Sequence, residues 1–108
     1  MPLHLGEFEQ LVLLALLRLD RDGYGISVRD ELAREAGRSV SLGTVYKTLL
    51  RLEAKGLITG HVGEPTAARG GRRKKHYAVT PRGRAALDAS LTALRRMSRG
   101  LSPAWDTR

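Results

Sequence analysis

The stretch Ser41–Ile58, SLGTVYKTLLRLEAKGLI, decides the fold. Wound at 3.6 residues per turn, Leu42 to Lys55 sorts into faces. Leu42, Val45, Leu49 and Leu52 form an aliphatic stripe; Gly43, Thr44, Lys47, Thr48, Arg51 and Lys55 form the opposite face, with Tyr46, Leu50 and Glu53 on the flank between them. Ser41 stands where a hydroxyl can accept an orphan N–H of the first turn. A helix docked by an inner stripe, with small, hydroxyl and cationic side chains outward, suits the reading element of a helix-turn-helix. Its outer face can enter a major groove, where hydroxyls and cations meet phosphates and base edges.

Upstream, Phe8, Leu11, Val12, Ala15, Leu16 and Leu19 recur at helical spacing between Gly6 and Leu19, and Leu13, Leu14 and Leu17 widen the stripe. Such a helix must be buried on more than one side. Asp20, Asp22 and Gly23 break the pattern, and a second helix is expected from about Gly25 to Ala36, with Ile26, Val28, Leu32 and Ala36 as core positions and Gly37 as terminator. Downstream of Gly56 the period changes. Leu57–Val62 and Lys75–Thr80 carry Ile58, Val62, Tyr77 and Val79 and flank a Gly-, Pro- and Ala-rich segment, which predicts a β-hairpin with a long loop. Tyr77 is expected on its core side. Thr80-Pro81 then reads as a helix start and Gly100 as a stop. Leu87, Leu94 and Leu101 are seven residues apart, with Leu91 and Met97 between them, a short heptad seam with little of its own domain left to cover it. Pairing of two copies through Leu11, Leu14, Leu87, Leu91, Leu94, Met97 and Leu101 is therefore expected, the alternative being that the stripe folds back on its own subunit.

Charge supports the same reading. The chain of 108 residues carries a net +8. Seven of its cations, Arg69, Arg72, Arg73, Lys74, Lys75, Arg82 and Arg84, fall between Pro65 and Leu87 without a single acid, while the remainder is nearly balanced. One concentrated cationic stretch implies an anionic partner at one place. At the tip of a hairpin it forms a wing able to lie on a phosphate backbone, with Gly70 and Gly71 to let the tip adapt.

Composition excludes several classes. Eighteen leucines and only five aromatics predict an aliphatic, mainly helical core with a small β-hairpin. The absence of cysteine excludes a disulfide framework, a thiolate metal site and a cysteine nucleophile. The apolar run Leu11–Leu17 falls far short of the roughly 20 residues that span a bilayer. Residues Met1–Glu9 have no basic region, so no membrane partner and a cytoplasmic location are expected. His4, His61 and His76 lack metal-ligand spacing, and Ser27, Ser39, Ser41 and Ser90 lack a nucleophile setting, so neither a metal, a cofactor nor catalysis is expected.

Several segments together carry a family resemblance. LGEFEQLVLLALLRL (Leu5–Leu19), Tyr24-Gly25, the Ser41–Ile58 stretch and GGRRKKHYAVTPRG (Gly70–Gly83), with Arg73, Tyr77, Thr80 and Gly83 closing the wing, resemble the PadR family of bacterial transcriptional regulators over nearly the whole chain. Leu42 stands where many members have proline. The resemblance implies a winged helix-turn-helix DNA-binding domain (residues 1–80), a single C-terminal dimerisation helix (81–101) and a tail (102–108). It implies a homodimeric repressor on an inverted-repeat operator in double-stranded DNA, with a small aromatic or drug-like effector in some members. Motif and face together nominate Ser41, Gly43, Thr44, Tyr46, Lys47, Arg51, Lys55, Arg72, Arg73, Lys74 and Lys75 for DNA, Lys47 for base contact. Tyr24 is as well placed to pack as to touch DNA, Glu53 is expected in a local ion pair, and Trp105 follows the last helix. The alternative is a winged-helix module that binds RNA or a protein partner.

Overall fold

The elements follow the order α1 (Glu7–Leu19), α2 (Gly25–Glu35), α3 (Leu42–Ala54), β1 (Ile58–Val62), β2 (Lys75–Val79) and α4 (Pro81–Ser98), with a 3₁₀ turn at Asp20–Asp22. This is a computed structural model, and it describes residues 4–63 and 74–101. The wing residues Arg69, Gly70, Gly71, Arg72 and Arg73, the 102–108 tail and Trp105 within it lie outside the described residues.

Local chemistry sets the helix ends. The Ser41 hydroxyl accepts the Thr44 N–H (3.1 Å), and Thr80 Oγ1 accepts the Gly83 N–H (3.0 Å) with Pro81 in the first turn. Gly37, Gly56 and Gly100 all sit at positive φ just beyond a helix, the region that glycine enters without a Cβ penalty. At Gly56 the stop is complete: its N–H reaches Glu53 O and the Leu57 N–H reaches Leu52 O, each at 3.0 Å, while Leu52 and Leu57 are both buried.

β1 and β2 pair antiparallel, Ile58 opposite Val79 and Val62 opposite Lys75. A short third segment joins them. The Tyr77 N–H donates to Gly23 O (2.9 Å) and Tyr24 bridges to His76, so the chain between α1 and α2 is stitched to the hairpin. The core lies where α1, α2 and α3 meet the root of the hairpin, filled by Val12, Leu13, Leu16, Val28, Leu32, Val45, Leu49, Leu52, Leu57 and Ile58, with Tyr77 on its hairpin side.

Three expectations need correction. Ile26 is not core but 45% exposed, because α2 buries Val28, Glu31 and Leu32 on another side, and Ala36 is exposed too, since the helix ends at Glu35 and Ala36 is its C-cap. Thr48 belongs to the outer face by winding, yet it is buried. Its hydroxyl donates to Thr44 O (3.1 Å), so its polar atom is satisfied by its own helix and the methyl is free to pack.

The last helix leaves the body as it proceeds. Leu87 is buried and Leu91 half-buried, whereas Leu94, Met97 and Leu101 are 59%, 78% and 52% exposed. Leu11 and Leu14 on α1 are half-buried, and Leu14 lines a 380 Å³ groove with Leu17, Leu87 and Leu91. Among the described residues no helix is long and apolar enough to cross a membrane.

Candidate nucleic-acid interface

The Ser41 cap fixes where α3 begins, and the inner stripe fixes its roll, since Val45, Leu49 and Leu52 are fully buried. What this roll turns outward at the front of the helix is small and hydrophilic: Ser41, Gly43, Thr44 and Lys47 are exposed, and Lys47 has no ion-pair partner among the described residues. Tyr46 is 42% exposed and leans its ring on the backbone of Gly25 at the start of α2. The front of α3 therefore meets the front of α2, with a tyrosine at the junction.

The rear of the same face is arranged differently. Arg51 and Lys55 lie one turn apart and both bind Glu9 of α1: Arg51 Nε and Lys55 Nζ stand 3.2 and 2.8 Å from Glu9 Oε2. The other oxygen, Oε1, accepts the Gly6 N–H at 3.0 Å. Burial alone would raise the Glu9 carboxyl, but the hydrogen bonds from Lys55, the Gly6 N–H and Arg51 outweigh it and hold the group below its ordinary 4.5. Sequence reading passed over this carboxylate, because the partners lie 42 and 46 residues away and no local period records them.

At the hairpin, Lys75 Nζ is 3.3 Å from Glu53 Oε1, the local ion pair expected of Glu53, and lies 5.4 Å from the Tyr77 ring centroid. Lys74 is exposed and sits 4.4 Å over the Tyr24 ring, whose edge meets His76 at 5.4 Å between centroids. Tyr24 is thus a packing element and a seat for a cation at once. His61 and His76, far apart in sequence, are direct cross-strand partners. No group of three or more metal-ligating side chains occurs among the described residues.

The structure therefore brings Ser41, Gly43, Thr44, Tyr46 and Lys47 together at one end of α3. It places Arg51 and Lys55 at the other end in ion pairs, and Lys74 and Lys75 at the root of the wing. Of the seven apolar residues of the expected seam, Leu11 and Leu14 lie on α1, Leu87, Leu91, Leu94 and Met97 on α4, and Leu101 just beyond its end.

A family model described as the transcriptional regulator PadR-like family matches residues 13–89. The transcriptional regulator Rv3488 of Mycobacterium tuberculosis is 42% identical over 80 residues, which cover 74% of this chain and 70% of that protein. The crystal structure of a PadR family transcription regulator from hypervirulent Clostridium difficile aligns with a TM-score of 0.69 at 26% identity, over 87% of this chain and 93% of that one. That of a PadR family transcriptional regulator from Eggerthella lenta aligns with a TM-score of 0.66, also at 26% identity, over 94% of this chain and 88% of the other.

Proposed function

Because the chain belongs to the PadR-like family of transcriptional regulators, with a winged-helix fold, we propose that it is a sequence-specific reader of double-stranded DNA acting as a homodimeric repressor on an inverted-repeat operator. The observation that carries this reading is the front of α3: a capped helix, docked by a fully buried stripe, whose exposed residues include Gly43, Thr44 and Lys47, the lysine without an ion pair among the described residues. Glycine lets the helix approach the groove closely, and the threonine and lysine supply donors to base edges or phosphates. Ser41 and Tyr46 would hold the sugar-phosphate strand beside it, and Lys74, Lys75 and the wing arginines Arg72 and Arg73 would grip the backbone. Contacts of that last kind give affinity and position rather than sequence.

In this reading residues 1–80 form the DNA-binding unit, 81–101 the dimerisation helix and 102–108 a tail. The exposed Leu94, Met97 and Leu101 support pairing, since an apolar stripe on a protruding helix is stable in water only when covered. Leu11, Leu14, Leu87 and Leu91 would extend the seam toward the body. Two copies related by a two-fold axis would set the reading helices about 34–36 Å apart, one turn of DNA. A small aromatic or drug-like effector acting between α1 and α4 would release the operator by changing that separation.

The test is selection of bound duplexes from a random DNA pool at physiological salt, where nonspecific phosphate attraction is suppressed. Recovery of an inverted repeat is the expected result. Recovery of no sequence above background overturns the specific-reader reading and turns attention to RNA or a protein partner.

A further inference from the structure

Glu9 is a carboxylate buried to 6% exposure that comes from α1 and ends on α3. Both its oxygens are engaged: Oε2 by Arg51 and Lys55, Oε1 by the Gly6 N–H at the start of its own helix, where the helix dipole favours a negative charge. It is thus a fixed counter-ion and not a mobile surface acid. The two cations it holds occupy the rear of the face whose front is Gly43, Thr44 and Lys47. Arg51 is oriented further by Thr48, whose Oγ1 lies 3.4 Å from its Nη2.

A cation presented to DNA strengthens binding to every duplex, whatever the sequence. Five lysines and arginines at the front, rear and wing root (Lys47, Arg51, Lys55, Lys74 and Lys75), all free, would hold every duplex strongly. Glu9 removes part of that attraction at the rear, as Glu53 does at Lys75. We propose that Glu9 is a positioning residue, an internal counter-ion that restrains Arg51 and Lys55 and so sets how strongly, and with what salt dependence, this face holds any duplex. The inference rests on the DNA-binding reading and adds to it a control of affinity that never touches DNA.

The experiment is Glu9→Gln, which keeps the shape and an acceptor for Gly6 but removes the charge. Binding of a random-sequence duplex and of the pool-selected duplex is followed by fluorescence anisotropy over a range of salt. One released cation steepens the log–log salt slope by about 0.9, which over the decade from 1 M to 0.1 M amounts to roughly eightfold tighter binding of the random duplex. The selected duplex gains by about the same factor, so affinity and salt slope change while the ratio between the two is kept. Adding Lys55→Ala to Glu9→Gln cancels part of the gain, and Glu9→Asp, which retains the charge, keeps the wild-type slope. An unchanged random-duplex affinity in Glu9→Gln, an equal weakening of both duplexes, or a Glu9→Asp slope as steep as that of Glu9→Gln would overturn the inference and leave Glu9 as a fold-holding residue. If the wild-type chain itself shows no salt-dependent binding to any duplex, the DNA reading fails first, and that outcome is distinct from all of these.

Discussion

Replacing Gly83 with alanine sets two well-characterised effects against each other. In the first turn of α4, alanine should help: its helix propensity is better than that of glycine by at most about 1 kcal/mol. The surroundings decide otherwise. A Cβ on Gly83 would fall on the Leu57 carbonyl oxygen, 3.0 Å from the Leu57 carbonyl carbon and 2.9 Å from Val79 Cγ1. Two of these obstacles are backbone atoms, and they are held where they are. Leu57 O accepts the Thr80 N–H at 3.0 Å, and Thr80 Oγ1 donates to Gly56 O at 2.8 Å. Relief would require the start of α4 to move by roughly 1 Å, stretching both bonds. Overpacking of this kind costs about 1–3 kcal/mol or more, and weakening the two hydrogen bonds adds roughly 0.5–1.5 kcal/mol each. With the propensity gain subtracted, a net loss centred on about 3 kcal/mol is expected. In a chain of this length that lowers Tm by roughly 12–18 °C. Thermal unfolding followed by circular dichroism, at one fixed protein concentration because assembly shifts Tm, measures it. A Gly83→Ala variant as stable as the parent, or more stable, would refute the close approach of α4 to the α3–β1 connection.

Other consequences can be checked as directly. The folded Glu9 carboxyl titrates below its ordinary 4.5, so its stabilisation is fully present above that value and is lost as pH falls through the lowered folded one. Acid unfolding curves should therefore be flatter for Glu9→Gln than for the parent, and parallel curves would count against the ion pairs. Leu94→Glu with Met97→Glu alters two exposed positions, so the fold of each subunit should change by no more than about 0.5 kcal/mol. Sedimentation equilibrium should nonetheless show monomers, and a persisting dimer would place the seam elsewhere. Lys47→Ala should relax preference at one base position by about 1–3 kcal/mol, whereas Lys74→Ala should weaken all duplexes alike. Equal effects of the two on every sequence, measured by competition binding, would remove Lys47 from the reading role.

Much of this architecture was legible because it is written at short range. The α3 stripe, the Ser41 and Thr80 caps, the stops at Gly37 and Gly56 and the β-branched strands each depend on residues within a turn or a few positions of one another. What escaped was settled by tertiary partners. Thr48 and Ile26 were assigned by winding and by hydrophobicity, but the width of each buried face depends on what packs against it, and Thr48 could go inside only because its hydroxyl bonds to Thr44 O. The pairing of Gly23 and Tyr24 with β2 has no period to announce it, since it involves only two residues. For the candidate interface the sequence supplied the exposed front of α3 but not the division of its cations. A lysine in a helix looks the same in sequence whether it faces solvent, as Lys47 does, or a carboxylate from another helix, as Lys55 does.

The contact between Tyr46 and Gly25 bears on how such a chain can change over generations. A Cβ at position 25 would lie 2.5 Å from the Tyr46 Cζ and hydroxyl oxygen, so the ring occupies the volume that any larger residue would claim. The two positions share one volume. Alanine or serine at 25 makes the half-exposed Tyr46 ring swing off its present rotamer, and loss of the tyrosine removes the conflict. A substitution at either site thus changes what the other tolerates, and lineages that alter one should carry the trace of it at both.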